Sequence, residues 1–317
     1  MMWLVYALLS ALFAGITAIL AKMGIRNTDS HLATALRTIV VLVFAWLMAW
    51  ITAGGAGGAE PGAAGVATSR FAALSSELSQ ISGKTFLFLM LSGLTTGGSW
   101  ICYFKALQLG DVNKVAPIDK SSTILTMLLA FLFLGESLTV IKVIAMIIMG
   151  VGTYLMIQKK ENSQQQRRDT NKMAGIWKAN SWLLYALLSA VFASLTTILG
   201  KIGISGIDSN LGTAIRTIFV LLMAWVIVFA LGRQKEIRQI DRKSWLFLGL
   251  SGIATGLSWL CYYRALQDGN ASIVAPIDKL SIVVTVAFSW IFLKEKLSGR
   301  AMVGLAGVVG GTLLLLV

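Results

Sequence analysis

The sequence predicts an all-α polytopic membrane protein: ten transmembrane helices arranged as two inverted five-helix repeats. Three observations lead there. The chain has 317 residues, 56% of them hydrophobic and only 13% charged, with a mean hydropathy of +0.78. A soluble domain carries about 25% charged residues and cannot hide this much apolar side chain. The apolar residues fall in blocks of about 20, the length that crosses a bilayer as a helix, without the strand-like alternation of a membrane barrel. Finally, the blocks are written twice.

The first set of blocks covers 2–23, 31–52, 85–108, 112–134 and 138–157; the second covers 181–203, 209–231, 244–267, 271–293 and 297–316. Block one ends on Lys22 and is expected to be a span rather than a cleaved leader. It has no basic start, and its near-copy recurs mid-chain, where no leader works. Block two carries Arg37 about two turns in, too deep for easy snorkelling. Block three is aromatic, block four opens on VAPIDK, and block five follows the turn FLGESL. The second set repeats these features with Lys201, Arg216, a second VAPIDK and FLKEKL.

The repeat is close. WLVYALLSALFAGITAILAKMGI from Trp3 returns as WLLYALLSAVFASLTTILGKIGI from Trp182, and SGLTTGGSWICYFKALQLG returns as SGIATGLSWLCYYRALQDG. The expected organisation is one repeat at 1–157, a basic linker at 158–180 and a second repeat at 181–317. An odd number of spans per repeat turns the second copy upside down, as in many transporters whose substrate binds between the halves. Matched loops should then carry opposite charge bias. Arg26 faces Ser205, Lys114 faces Ile273, a bland AGGAGGAEPGAAG faces GRQKEIRQIDRK, and GESLTVIK faces the more basic KEKLSGR. With the basic linker, these loops place the linker inside and both termini outside a cell membrane.

Net charge is +13 and the pI about 9.9, but the basic residues sit mostly at block ends and in loops. Anionic headgroups therefore explain them, and nucleic acid is not an expected partner. Cys102 and Cys261, at equivalent repeat positions, read as buried thiols. His31 is the only histidine, without a Cys or carboxylate cluster beside it, so no metal, cofactor or catalytic residue is expected. With no Walker-type loop, any transport would have to run on a gradient.

The polar residues inside the blocks are the candidate site. Trp100, Tyr103, Phe104 and Leu107 share one face of the third block, as Trp259, Tyr262, Tyr263 and Leu266 do in the eighth. The alternatives are helix packing with an interfacial belt, or a pocket beside the recess left by Ser99, Ser258 and nearby glycines. In each VAPIDK the proline makes the helix start or kink, next to Asp119–Lys120 or Asp278–Lys279. Asp119 is expected to find Lys105 or Arg37, and Asp278 to find Arg264 or Arg216. Either these acids cap helices near the headgroups, or they flank a translocation pathway. Lys22 and Lys201 are expected to snorkel, and Glu136 and Glu295 to serve turns or caps.

Two five-helix halves, each with an aromatic third helix ending YFKAL or YYRAL and a Pro-bearing fourth ending FLGE or FLKE, resemble the EamA-type transporters of the drug/metabolite transporter superfamily. The likeness spans nearly the whole chain except 53–83 and 158–180, and each half resembles the stand-alone five-span members. It implies a basket of ten helices with a cavity lined by Trp100, Tyr103, Asp119, Trp259, Tyr262 and Asp278. The loop charges depart from relatives described with both termini cytoplasmic. The first and sixth spans lack the glutamate that small multidrug members use for lipophilic cations.

Basic charges at Arg37, Arg216, Lys105 and Lys120 instead favour anionic or zwitterionic solutes. The expected function is a secondary active transporter, an exporter of small metabolites such as amino acids or carboxylates, working by alternating access. It would act as monomer or homodimer in the lipid bilayer, with a proton as the candidate coupling ion. Weighed against it are a lipid flippase, a multidrug or cation exporter and, least favoured, a membrane scaffold.

Overall fold

In a computed structural model of the protein, the described residues are 2–24, 28–53, 63–109, 118, 121–156, 174–293 and 298–316. Among them the chain forms α1 (Met2–Gly24), α2 (Ser30–Thr52), α3 (Ala63–Ser79), α4 (Gly83–Leu109), α5 (Ser122–Leu134), α6 (Val140–Leu155), α7 (Ala174–Ile204), α8 (Ser209–Ala230), α9 (Arg242–Asp268), α10 (Ala271–Asp278), α11 (Ser281–Leu293) and α12 (Gly299–Leu314). A short 3₁₀ turn, Arg233–Gln239, links α8 to α9. Seven helical segments are long and apolar enough to cross a membrane, while α5, α6 and α12 are shorter apolar helices. Large apolar side chains face outward, such as Val140 at 75% exposure and Leu132 at 67%. Such a surface needs lipid to cover it.

The repeated acids Asp29 and Asp208 start matching helices. Each caps its helix: Asp29 accepts from the N–H groups of His31 and Leu32, and Asp208 from those of Asn210 and Leu211, at 2.9–3.2 Å. Two stretches depart from the sequence reading. The connection 53–83, which lies outside the repeat and opens on the bland AGGAGGAEPGAAG, contains the helix α3, which leans on α2 through Arg70 over the Trp50 ring and the Trp50–Phe71 contact. Helix α7 begins at Ala174, inside the stretch read as linker.

The core is built between copies. Helix α1 packs on α9 and α4 on α7; α2 meets α8, and α6 meets α12. Exchanging the two copies maps each pairing onto a pairing of the same kind. Small and hydroxyl residues bring the backbones together, the usual device where lipid weakens the hydrophobic drive between helices. Ser258 donates to the Ser10 carbonyl at 3.1 Å, and Ser99 to the Ser189 carbonyl at 3.1 Å. Gly93 lies against the Arg216 carbonyl and Gly252 against that of Arg37, where an added Cβ would sit 2.6 and 3.0 Å away. Gly152 and Gly304 meet backbone to backbone in the same way.

The helix ends meet in two sets. Trp3, Leu89, Lys201, Gly203, Gln267 and Gly269 gather at one end: Trp3 touches Gly269, Leu89 touches Gly203, and Gln267 donates to Ile204 and Ile207. At the other, Gly24 touches Leu248, and Arg233 lies 3.7 Å from Asp29.

Candidate functional site

Arg216 is the centre of the site. It lies two turns into α8 and is only 1% exposed. Its Nε donates to Ser92 at 3.2 Å and its Nη2 to Thr96 at 2.8 Å, both on α4 of the other copy. Its guanidinium carbon lies 4.5 Å from the Tyr263 ring centroid and 5.1 Å from that of Trp259, both on α9. No described carboxylate lies within ion-pair distance of this guanidinium. The cation is thus held by neutral hydroxyls and π faces, with no counter-charge from the described protein.

Tyr263 fits because its neighbour is a glycine. A Cβ on Gly200 would lie 2.6 Å from Tyr263 Cε1 and 3.2 Å from its hydroxyl. The equivalent pair in the first copy is Ala21 with Phe104, one methyl more and one hydroxyl fewer. Ser92 Oγ also lies beside Gly200, 3.1 Å from that Cβ position, so Tyr263, Ser92 and Arg216 gather in one unit. Tyr262 pairs with Thr197 at 3.1 Å and stands edge-on to Tyr263, ring centroids 5.4 Å apart.

Asp278 borders the same cluster. Ser10 donates to its Oδ1 at 2.7 Å and also contacts Ser258 at 3.3 Å, next to Trp259. The expected partners are corrected here. Arg264 pairs with Asp268 at 3.4 Å and with Gln267, because i, i+3 and i, i+4 neighbours face each other on a helix. Arg216 turns to α4. Pro276 lies inside α10, and the helix breaks just beyond it at Lys279–Leu280, where bonds tighten to the i+3 pattern. The break gives Asp278 its place at the end of a helix.

The first copy differs. Arg37 has a buried Nε that finds no hydrogen-bond partner among the described residues. Trp100 packs against the cluster of Leu32, Leu36 and Leu248, and no described arginine lies over its ring. Tyr103 packs among Ala106, Ala186 and Trp182. Asp119, its lysine Lys120 and the first VAPIDK proline lie outside the described residues, as does Glu295. The structure therefore brings together Arg216, Trp259, Tyr262 and Asp278, and leaves Trp100, Tyr103 and Arg37 outside that unit.

Residues 1–158 and 180–317 match the EamA-like transporter family. The chain belongs to that family. A curated relative from Sinorhizobium, described as an uncharacterised transporter, is 48% identical over 139 residues, 44% of this chain and 99% of the relative. An uncharacterised protein of Methanocaldococcus jannaschii is 29% identical over 133 residues, covering 42% of this chain and 94% of its own length. An uncharacterised transporter of Bacillus subtilis is 24% identical over 221 residues, 69% of this chain and 66% of that protein. A solved crystal structure superimposes with a TM-score of 0.72, covering 99% of this chain and 96% of the other at 16% identity, which shows a shared fold alone. The protein is a multi-pass membrane transporter of the drug/metabolite transporter superfamily.

Three functional-looking residues of this EamA-like chain escaped sequence reading. Ser92 and Thr96 hold Arg216, and Gly200 makes room for Tyr263. The first two come from the other copy, so no local periodicity marks them; the third differs from its repeat partner Ala21, which is a readable signal.

Proposed function

We propose that the chain is a secondary active transporter that carries small anionic or zwitterionic metabolites, amino acids or carboxylates, by alternating access between inverted halves. Export is the expected direction. The observation that carries this is Arg216: a fully buried guanidinium that, among the described residues, meets only hydroxyls and aromatic faces. An unpaired buried charge costs several kcal/mol, and intramembrane cations mark ion or substrate pathways. A solute carboxylate supplies the missing charge, with bidentate geometry open to arginine. Asp278 with Ser10 offers an acceptor for the ammonium of a zwitterion, or for a coupling proton. Arg37, Trp100, Tyr103 and Asp119 enter as the first copy's share of the pathway.

The ten-span, inverted arrangement has its own support. If each of the ten apolar blocks crosses once, the contacts among Trp3, Leu89, Gly203 and Gly269 all fall on one face, and Gly24–Leu248 and Asp29–Arg233 on the other. These end-to-end contacts support the ten-span reading. Relatives that match one half along nearly their full length also fit repeats at 1–157 and 181–317 joined by a 158–180 linker. The loop charges then put linker inside and termini outside the cell membrane.

The test is a thermal-shift screen of the purified protein against amino acids, dicarboxylates and quaternary amines. Stabilisation by carboxylate-bearing solutes is expected. Stabilisation by quaternary amines alone would reject the assignment in favour of a cation exporter.

A further inference from the structure

A second buried ionic cluster lies away from Arg216. Glu136, in the turn after α5, is only 9% exposed, and its two carboxylate oxygens reach across to the second copy. Oε1 accepts from the Ala271 N–H at 2.6 Å and Oε2 from the Ser272 N–H at 3.0 Å, the first residues of α10. Lys201, at the end of α7, lies 3.7 Å from Glu136 Oε1 and donates to the Gly269 carbonyl. Lys142, at the start of α6, donates to Ser272 Oγ at 2.9 Å and to the Ser137 carbonyl at 2.8 Å. Glu136, expected to serve a turn or cap, caps a helix of the other copy, and Lys201, expected to snorkel, instead reaches Glu136 and the Gly269 carbonyl just past α9.

The partners of this carboxylate are too good for a passive turn. A carboxylate accepting two backbone N–H groups at a helix start is a strong, charge-assisted clamp. It grips the short helix whose eighth and last residue is Asp278, at the site described above. Through Lys201 it also ties the end of α5 to the end of α7 and to the Gly269 carbonyl just past α9. Such a clamp must release if that end of the molecule is to open.

We infer that Glu136, with Lys201, is a latch: it holds the start of α10 shut against the first copy and opens when the transporter exposes this end. The inference rests on the alternating-access reading. Glu136 is a positioning residue, since it acts on Asp278 through α10. In the sequence repeat Glu295, Lys22 and Gly110 match Glu136, Lys201 and Gly269.

The test uses full-length protein in nanodiscs, with Cys102→Ser, Cys261→Ser and Val274→Cys. Val274 is fully buried on α10, one turn below the latch. The readout is the rate of labelling by a membrane-impermeant maleimide, which needs no solute. Glu136→Gln keeps the shape and Lys201→Met keeps the length. Each is expected to raise the rate at least about tenfold, the factor that goes with losing one charge-assisted hydrogen bond. A melting curve run beside each variant identifies any that fails to fold, and the remaining variant then decides. A folded variant labelling within about twofold of its parent overturns the latch, whatever the solute screen finds. Raised labelling in the folded variants with no solute response upholds the latch and sinks the substrate assignment alone.

Discussion

Replacing Arg216 by methionine separates a ligand-binding arginine from a structural one, because the two predict opposite losses. In the unliganded protein the substitution removes two hydrogen bonds from a charged donor, each worth about 1.5–3 kcal/mol. It also removes two cation–π contacts of about 0.5–2 kcal/mol each. Against this, a buried ion carries a desolvation cost of several kcal/mol, which methionine does not have. The hydroxyls left behind are not orphaned. Ser92 Oγ still donates to the Thr196 carbonyl at 2.8 Å, and Thr96 Oγ1 to the Ser92 carbonyl at 2.9 Å. The two sides roughly cancel, so the unliganded melting temperature should stay within about 4 °C of wild type. The ligand response should vanish. A carboxylate solute at 100 times its Kd stabilises wild type by about 2.7 kcal/mol, a shift of about 5–10 °C. Differential scanning fluorimetry with and without solute measures both. A variant that keeps the full solute shift, or that loses more than about 4 kcal/mol unliganded, refutes the reasoning.

Other outcomes follow from single contacts. Gly200→Val forces its side chain into Tyr263 and should lower stability by about 1–3 kcal/mol. Much less is lost in a Tyr263→Leu background, so a double-mutant melting cycle should show coupling, and additive losses would remove the steric account. Gly304→Leu drives a Cβ to 2.5 Å from the Gly152 carbonyl, so α6 and α12 must separate, with a loss of about 2 kcal/mol or more and faster proteolysis of α12. Asp241, outside the spans, is hydrogen-bonded to Ser244, which holds its carboxyl below the ordinary value of 3.8. A depressed acid stabilises the folded state above its unfolded value and loses that support as pH falls through its folded value. Wild type should therefore melt progressively earlier below about pH 4, and Asp241→Asn should show a flatter acid limb in melts across that range.

The doubled architecture was legible because hydropathy, repeat identity and span parity act along the chain. The break after Pro276 and the close helix packing at the glycines near Ser99 and Ser258 sit where local pattern pointed. What the sequence concealed lies across the copies. Ser92, Thr96 and Glu136 find partners more than a hundred residues away, and docking of the halves decides those contacts, not periodicity. Symmetry also misled. The repeat makes Trp100 and Trp259 look equivalent, yet only Trp259 stacks on an arginine. The Gly200–Tyr263 pair, against Ala21–Phe104, is the sequence-level trace of that divergence.

Counterflow of a labelled carboxylate solute in preloaded proteoliposomes, comparing wild type with Arg216→Lys, bears most directly on the central claim. Lysine keeps the charge but loses the planar fork that reaches Ser92 and Thr96 while offering a bidentate face to an anion. The account predicts saturable exchange in wild type and at least about a tenfold loss in the variant, the cost of one charge-assisted hydrogen bond. Equal exchange by both proteins, or exchange of quaternary amines without any carboxylate, would contradict it.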